Sequence, residues 1–255
     1  MYGSSTSRIT TTNDESLLSA PTINYMNKLT HSPRKTEIIP AILPVDFMDF
    51  TDKIDLMLGF TKTIQVDICD GQFTPSPSWP YRKHDDNFEK LREQADGLPG
   101  WEKLDYEFDL MVNRPEEVVD QWVEVGATRI ILHAESRGDL RGALEKLVGK
   151  AEAGLALNMD TPVDTIEQYK DLICCVQLMA IDRIGYQGQK FNEKVLEKIG
   201  AVREKYPELK ISIDGGVSME NASRLITAGA DRLIVGSAIF ESDNPIDAVQ
   251  KFGRL

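Results

Sequence analysis

Three acidic residues sit where short apolar runs end. In Ile64-Gln65-Val66-Asp67-Ile68-Cys69-Asp70-Gly71 the alternation puts Gln65, Asp67 and Cys69 on one face of a predicted strand. An inward carboxylate is costly unless it is paired, protonated or metal-bound, and no basic residue lies in this run. The run Ile211-Ser212-Ile213-Asp214 also ends in an acid, and Gly215-Gly216 follows it. These glycines free backbone N–H groups for close approach by an anion, although a plain strand-ending turn would use them equally well. A third acid, Asp109, closes Leu104–Leu110. After Leu233-Ile234-Val235 comes Gly236-Ser237, ahead of a short helical stretch, in the manner of a phosphate seat. The loop Ile184-Gly185-Tyr186-Gln187-Gly188-Gln189-Lys190-Phe191 is either a lid over a ligand or an ordinary surface loop. Glycine signals at consecutive strand ends favour phosphate binding over mere turns.

Positioning these groups requires a scaffold, and the hydrophobic pattern supplies one. Strands are predicted over Glu37–Leu43, Thr63–Ile68, Leu104–Leu110, Thr128–His133, Gly154–Asn158, Leu172–Met179, Lys210–Asp214 and Arg232–Val235. Helices are predicted over Phe47–Leu58, Pro115–Val125, Leu140–Lys150, Glu193–Tyr206 and Met219–Ala228, several of them closed by glycine. This alternation implies an α/β protein with parallel strands, and eight units make a closed (β/α)8 TIM barrel the economical fold. A doubly wound sheet lacks support, because no G-x-G-x-x-G follows the first strand. The barrel should occupy residues 36–255 as a single domain. Residues 1–35 form a polar extension, with one short helix expected around Glu15–Leu29. In such a barrel Leu43, Asp67, Asp109, His133, Asn158, Met179, Asp214 and Gly236 share the face at the strand C-termini, where barrel enzymes keep their chemistry.

Composition narrows the partners. The 255 residues carry 41 acidic and 29 basic side chains, a net charge of −12, which disfavours nucleic acid and anionic membrane as partners. Cys69, Cys174 and Cys175 form neither a disulfide framework nor a zinc motif, so a reducing cytoplasm is expected. The longest apolar run, Leu172 to Ile181, is interrupted by Gln177 and is far short of the ~18 residues that span a bilayer.

Taken together, Pro40-Ala41-Ile42-Leu43, Val66 to Phe73, Asp109-Leu110-Met111-Val112, Gly185 to Phe191, Asp214-Gly215-Gly216-Val217 and Gly236 to Phe240 resemble the ribulose-phosphate 3-epimerase family, in family order over residues 37–251. The resemblance implies a barrel that inverts a carbon beside a ketone of a sugar phosphate. Two aspartates do the proton transfer, at positions matching Asp67 and Asp214. Candidate substrate and phosphate contacts are Met111, Gly185, Gly188, Gln189, Gly215, Gly216, Gly236 and Ser237. Homo-oligomers are expected by resemblance alone.

The family holds a metal with two histidines and two aspartates, and here Gln65 and Asp109 stand at the histidine positions. Neither His31 nor His84 matches a ligand position, and His133 is expected to be a hydrogen-bonded residue of the barrel mouth. Ala41, Pro44, Cys69 and Gln72 also depart from the pattern. An all-oxygen set of Gln65, Asp67, Asp109 and Asp214 suits Mg²⁺ or Mn²⁺ better than Zn²⁺ or Fe²⁺. The alternative is a metal-free site with Asp109 protonated or paired with an arginine, Arg183 being the candidate. Two other functions compete with the epimerase: a phosphate-binding barrel lyase or decarboxylase, and a non-catalytic sugar-phosphate-binding homologue. The lyase pattern Asp-x-Lys-x-x-Asp is absent, because Ile68-Cys69-Asp70 follows Asp67.

Overall fold

The β-branched runs close on themselves. In the computed structural model, which describes residues 35–83, 86–93, 97–186 and 188–255, eight parallel strands form a closed barrel in sequential order. They are β1 (Glu37–Ile42), β2 (Thr63–Cys69), β3 (Asp105–Met111), β4 (Arg129–His133), β5 (Glu152–Leu157), β6 (Cys175–Met179), β7 (Lys210–Asp214) and β8 (Arg232–Val235). β1 pairs with β8, so no edge is left open. The expected (β/α)8 TIM barrel is therefore the fold. The extension over residues 1–35, with its expected helix, lies outside the described residues except for Lys35.

The connecting helices are α1 (Phe47–Met57), α2 (Asn87–Glu93), α3 (Pro115–Glu124), α4 (Leu140–Leu147), α5 (Val195–Lys205), α6 (Ala222–Ala228), α7 (Ser237–Phe240) and α8 (Pro245–Phe252). Between β5 and β6 the chain instead makes a 3-10 segment, Val163–Gln168. It continues into a turn in which the Leu172 N–H donates to the Tyr169 carbonyl. That bond takes Leu172 out of the strand predicted to begin there, and β6 starts at Cys175. Helix α8 was missed, although Asn244 caps it by accepting from the Asp247 N–H at 3.1 Å and Pro245 fills its first turn.

The main apolar core lies outside the barrel, between strands and helices. Phe50, Trp79, Tyr106, Phe108, Phe88 and Trp122 pack there as one aromatic group. Inside the barrel the apolar side chains fall into small separate groups, such as Ile39, Ala41 and Ile234. The rest of the interior is polar and layered. At the N-terminal end Glu107, wholly buried, accepts from Arg129 at 2.7 Å and from Arg232 at 2.6 Å, and Arg232 also reaches Ser212 at 2.9 Å. Removing one charge from such a buried group strands the others. We expect Glu107→Gln to cost about 2 kcal/mol by chemical denaturation, the worth of hydrogen bonds to a charged group, and to leave the opposite mouth intact. An unchanged denaturation midpoint would show that this layer is not holding the barrel together.

Candidate active site

Register decides which side chains meet. Asp67 and Asp109 are directly paired across β2 and β3, so both point inward at the same level. Asp214 ends β7, paired with Met179 of β6, and approaches from the other side of the barrel. One carboxylate oxygen from each of the three lies within 4.8 Å of the others, close enough for the group to share one cation. Asp67 and Asp214 line a cavity at the strand C-termini. Asp109 is wholly buried behind them, as are Gln65, Gln177 and His133.

Donors bind this acidic cluster from two sides. Gln65 Nε2 donates to Asp67 Oδ1 at 2.9 Å and to Asp214 Oδ2 at 3.1 Å. Gln177 Nε2 donates to Asp109 Oδ2 at 3.0 Å and to the same Asp214 Oδ2 at 3.1 Å. His133 Nε2 lies 3.0 Å from Asp109 Oδ1. Its Nδ1 faces Glu135 Oε2 at 3.8 Å, an ion pair too long for a good hydrogen bond. Arg183, the candidate partner of Asp109 in the metal-free alternative, is exposed and does not pair with it, because β6 and β4 supply Gln177 and His133 instead.

Burial and charge push these groups apart in acidity. Burial raises the Asp67 pKa well above the usual carboxylate range, and the nearby Asp214 and Asp109 raise it further. Asp214 is raised to about 7 by burial and by Asp109, partly offset by the Gln65 hydrogen bond. Burial pushes His133 down, but Asp109 and Glu135 outweigh it and hold the imidazole near 10, so it is an imidazolium at neutral pH. Burial likewise opposes ionisation of Glu135, yet His133 and Thr161 bring it to about 2.

Local structure holds the acids in place. Ser78 Oγ accepts from the Cys69 N–H at 2.9 Å and donates to the Asp67 carbonyl at 3.1 Å, pinning the end of β2. Asp70 accepts from the Gln72 and Phe73 N–H groups and, from β3's far end, the Asn113 N–H. It therefore orders the loop rather than joining the cluster. Phe73 then lies against the His133 ring, with centroids 5.2 Å apart.

The remaining wall comes from the expected residues: Met111, Gly185, Gly188, Gln189, Gly215, Gly216, Gly236 and Ser237 all line the cavity. Met179, at the end of β6, and Tyr186, in the same loop as Gly185 and Gly188, line it too. Gly216, at φ 64°, packs against the Phe191 main chain, and a Cβ there would meet Phe191 Cα at 2.8 Å. Gly216→Ala should therefore push the 185–191 loop off the site. A Tm lowered by several degrees and a raised KM are expected, since strain of this kind costs about 1–3 kcal/mol. An alanine variant with unchanged KM would show that this contact does not shape the cavity.

Comparison with known proteins adds to this geometry. The model of the ribulose-phosphate 3-epimerase family matches residues 37–240. The chain belongs to this family. It is 31% identical over 223 residues to ribulose-phosphate 3-epimerase of Bacillus subtilis, covering 84% of this chain and 97% of the relative. It is 30% identical over 228 residues to the chloroplastic ribulose-5-phosphate-3-epimerase of Arabidopsis thaliana, covering 85% and 76%. The family is one of epimerases, isomerases acting on carbohydrates. Among solved structures, 3-hexulose-6-phosphate synthase of Salmonella typhimurium superposes with a TM-score of 0.64 at 13% identity, over 86% of this chain and 97% of that one. That likeness concerns the fold alone. Among the described residues no helix is long and apolar enough to cross a membrane.

One site residue of this family member escaped sequence reasoning. Gln177 registers only as a break in an apolar run, although a lone amide in such a strand is itself the available signal. Glu135 belongs to the His-x-Glu that closes strand four, a pattern the resemblance already supplies.

A resident divalent cation can be tested against these donors. The three carboxylates are close enough to share one. Both amides, however, present N–H rather than C=O to the cluster, and their Oε1 atoms are buried without a partner. Turning either amide would give up its two N–H bonds to the carboxylates. The donor set therefore does not fit a bound cation.

Proposed function

We propose that this chain inverts the carbon beside the carbonyl of a ketose phosphate, with ribulose 5-phosphate and xylulose 5-phosphate as the first pair to test. One observation carries the reading: Asp67 and Asp214 face one cavity, and burial and acidic neighbours raise both carboxyls. Inversion needs one of them protonated and the other not. One group must take the C3 proton from one face while the other delivers a proton to the opposite face. Asp67 and Asp214, each raised by burial and by acidic neighbours, are the pair. The His133 imidazolium, one hydrogen bond behind Asp109, lends positive potential beneath them as negative charge grows on the substrate oxygen.

Gly215, Gly216, Gly236 and Ser237 supply the phosphate seat in this reading, and Gly188 and Gln189 close over it. Support comes from their place at consecutive strand ends and from the names of the curated relatives. Mg²⁺ or Mn²⁺ is the ion an all-oxygen set would select. The amide donors argue for a site that works without one. Self-association and a cytoplasmic location complete the proposal, to be checked by sedimentation and cell fractionation.

The experiment is incubation with ribulose 5-phosphate in D₂O. Deuterium at C3 together with formation of the epimer is expected. Tight binding without label at C3 would transfer the reading to a non-catalytic sugar-phosphate-binding homologue.

A further inference from the structure

The carboxylate cluster is bridged by protein groups. Gln65 on β2 and Gln177 on β6 reach it from opposite sides of the barrel, since these strands lie four apart in an eight-stranded ring. Each amide has two N–H groups. Gln65 spends both on Asp67 and Asp214, and Gln177 spends both on Asp109 and Asp214. His133 adds a fifth donor, to the remaining Asp109 oxygen. All three carboxylates are thus tied to one another through donors, two of them meeting on the single oxygen Asp214 Oδ2.

Holding like charges together is what a divalent cation does in an acidic site. Here five N–H bonds do it. The arrangement has a cost, because both amide oxygens are buried without a partner. Accepting that cost makes physical sense only if the inward-facing N–H groups matter more, since a stranded buried acceptor is itself worth about 1–3 kcal/mol. The layering is consistent with this: the clasp lies wholly below the surface, and only Asp67 and Asp214 reach the cavity.

We propose that Gln65 and Gln177, with the His133–Asp109 pair, form an amide clasp that replaces a metal ion, so that this protein carries out its chemistry with no bound divalent cation. Gln65 and Gln177 are positioning residues, acting through the carboxylates they hold. The inference deepens the epimerase reading and rests on it for the reaction, but its test reads metal and stability rather than turnover.

The test uses the full chain. Metal content of the purified protein is measured by mass spectrometry, and Mn²⁺ is then titrated by calorimetry and by thermal shift. The expected result is no stoichiometric metal, no saturable heat, and a Tm unmoved by Mn²⁺. A genuine site at a hundredfold excess over its Kd would raise Tm by roughly 5 °C or more. The second arm is Gln177→Glu, which exchanges two N–H donors for a fourth carboxylate at nearly constant shape. Its Tm should fall at pH 8, recover at pH 5 where carboxylates gain protons, and recover at pH 8 on adding Mn²⁺. A stoichiometric divalent metal in the wild-type protein, or Mn²⁺ binding as tight as in the variant, would overturn the proposal. Should the variant not fold, the wild-type measurements decide alone. A metal-free protein inactive on pentulose phosphates would defeat only the epimerase reading, and a metal-loaded epimerase only this one.

Discussion

Asp67→Asn and Asp214→Asn are each expected to slow inversion about 10³-fold while leaving hydrogen exchange into one of the two epimers. Each asparagine keeps the shape of the aspartate and can still accept from the Gln65 amide, so the barrel should survive. What it loses is the ability to take a proton. With one base gone, the other can still deprotonate the substrate on its own face and return a solvent deuteron there. Asp67→Asn should thus label one epimer and Asp214→Asn the other, with neither forming the opposite configuration at a comparable rate. Losing an acid–base group usually costs 10²–10⁴ in rate, and we expect about 10³ for inversion here. Label is read by NMR at C3 for each substrate separately. Inversion persisting within tenfold of the wild type in either variant would remove that aspartate from the chemistry.

Turnover should follow a bell-shaped pH curve whose acid limb is set by the carboxylate pair. The productive state carries one proton on Asp67 and Asp214 together. Below about pH 7 the pair gains a second proton and no base remains, so the rate drops about tenfold per pH unit well below that point. On the alkaline side the last proton, held by the strongly raised Asp67, leaves and no acid remains. Stability carries the same signature. The folded-state pKa of Asp214 is above its value of 3.8 in a free chain, so the folded protein binds more protons between those limits. The contribution of Asp214 is therefore complete below pH 3.8, declines as pH rises towards about 7, and is level above. Asp214→Asn removes this decline. The variant should gain stability relative to wild type from pH 4 to pH 7, by on the order of 2–4 kcal/mol, and no further beyond. Denaturation of both proteins across pH 4–9 measures it. A constant difference would mean that Asp214 is ionised throughout.

The high stake on these two residues reflects how an active site departs from stability. Three buried carboxylates within 4.8 Å of one another are poor for folding, and the donors around them make the arrangement tolerable. The same crowding raises both carboxyls of the pair above the ordinary carboxylate range.

Much of this was legible in the chain. The strand–helix alternation specifies a barrel because parallel strands need crossovers and eight of them leave no open edge. Asp67 and Asp214 were visible as polar residues breaking apolar runs at strand ends, and the glycine turns showed where main chain could approach a ligand. Ordered motifs over residues 37–251 pointed to the family. What the linear order could not show is which polar groups meet inside the ring. Gln65 and Gln177 are 112 residues apart, and the amide clasp exists only because β2 and β6 face each other across a closed barrel. Asp109 finds His133 rather than Arg183 for the same reason: register and inward direction, set by closure, select partners that no sequence spacing encodes.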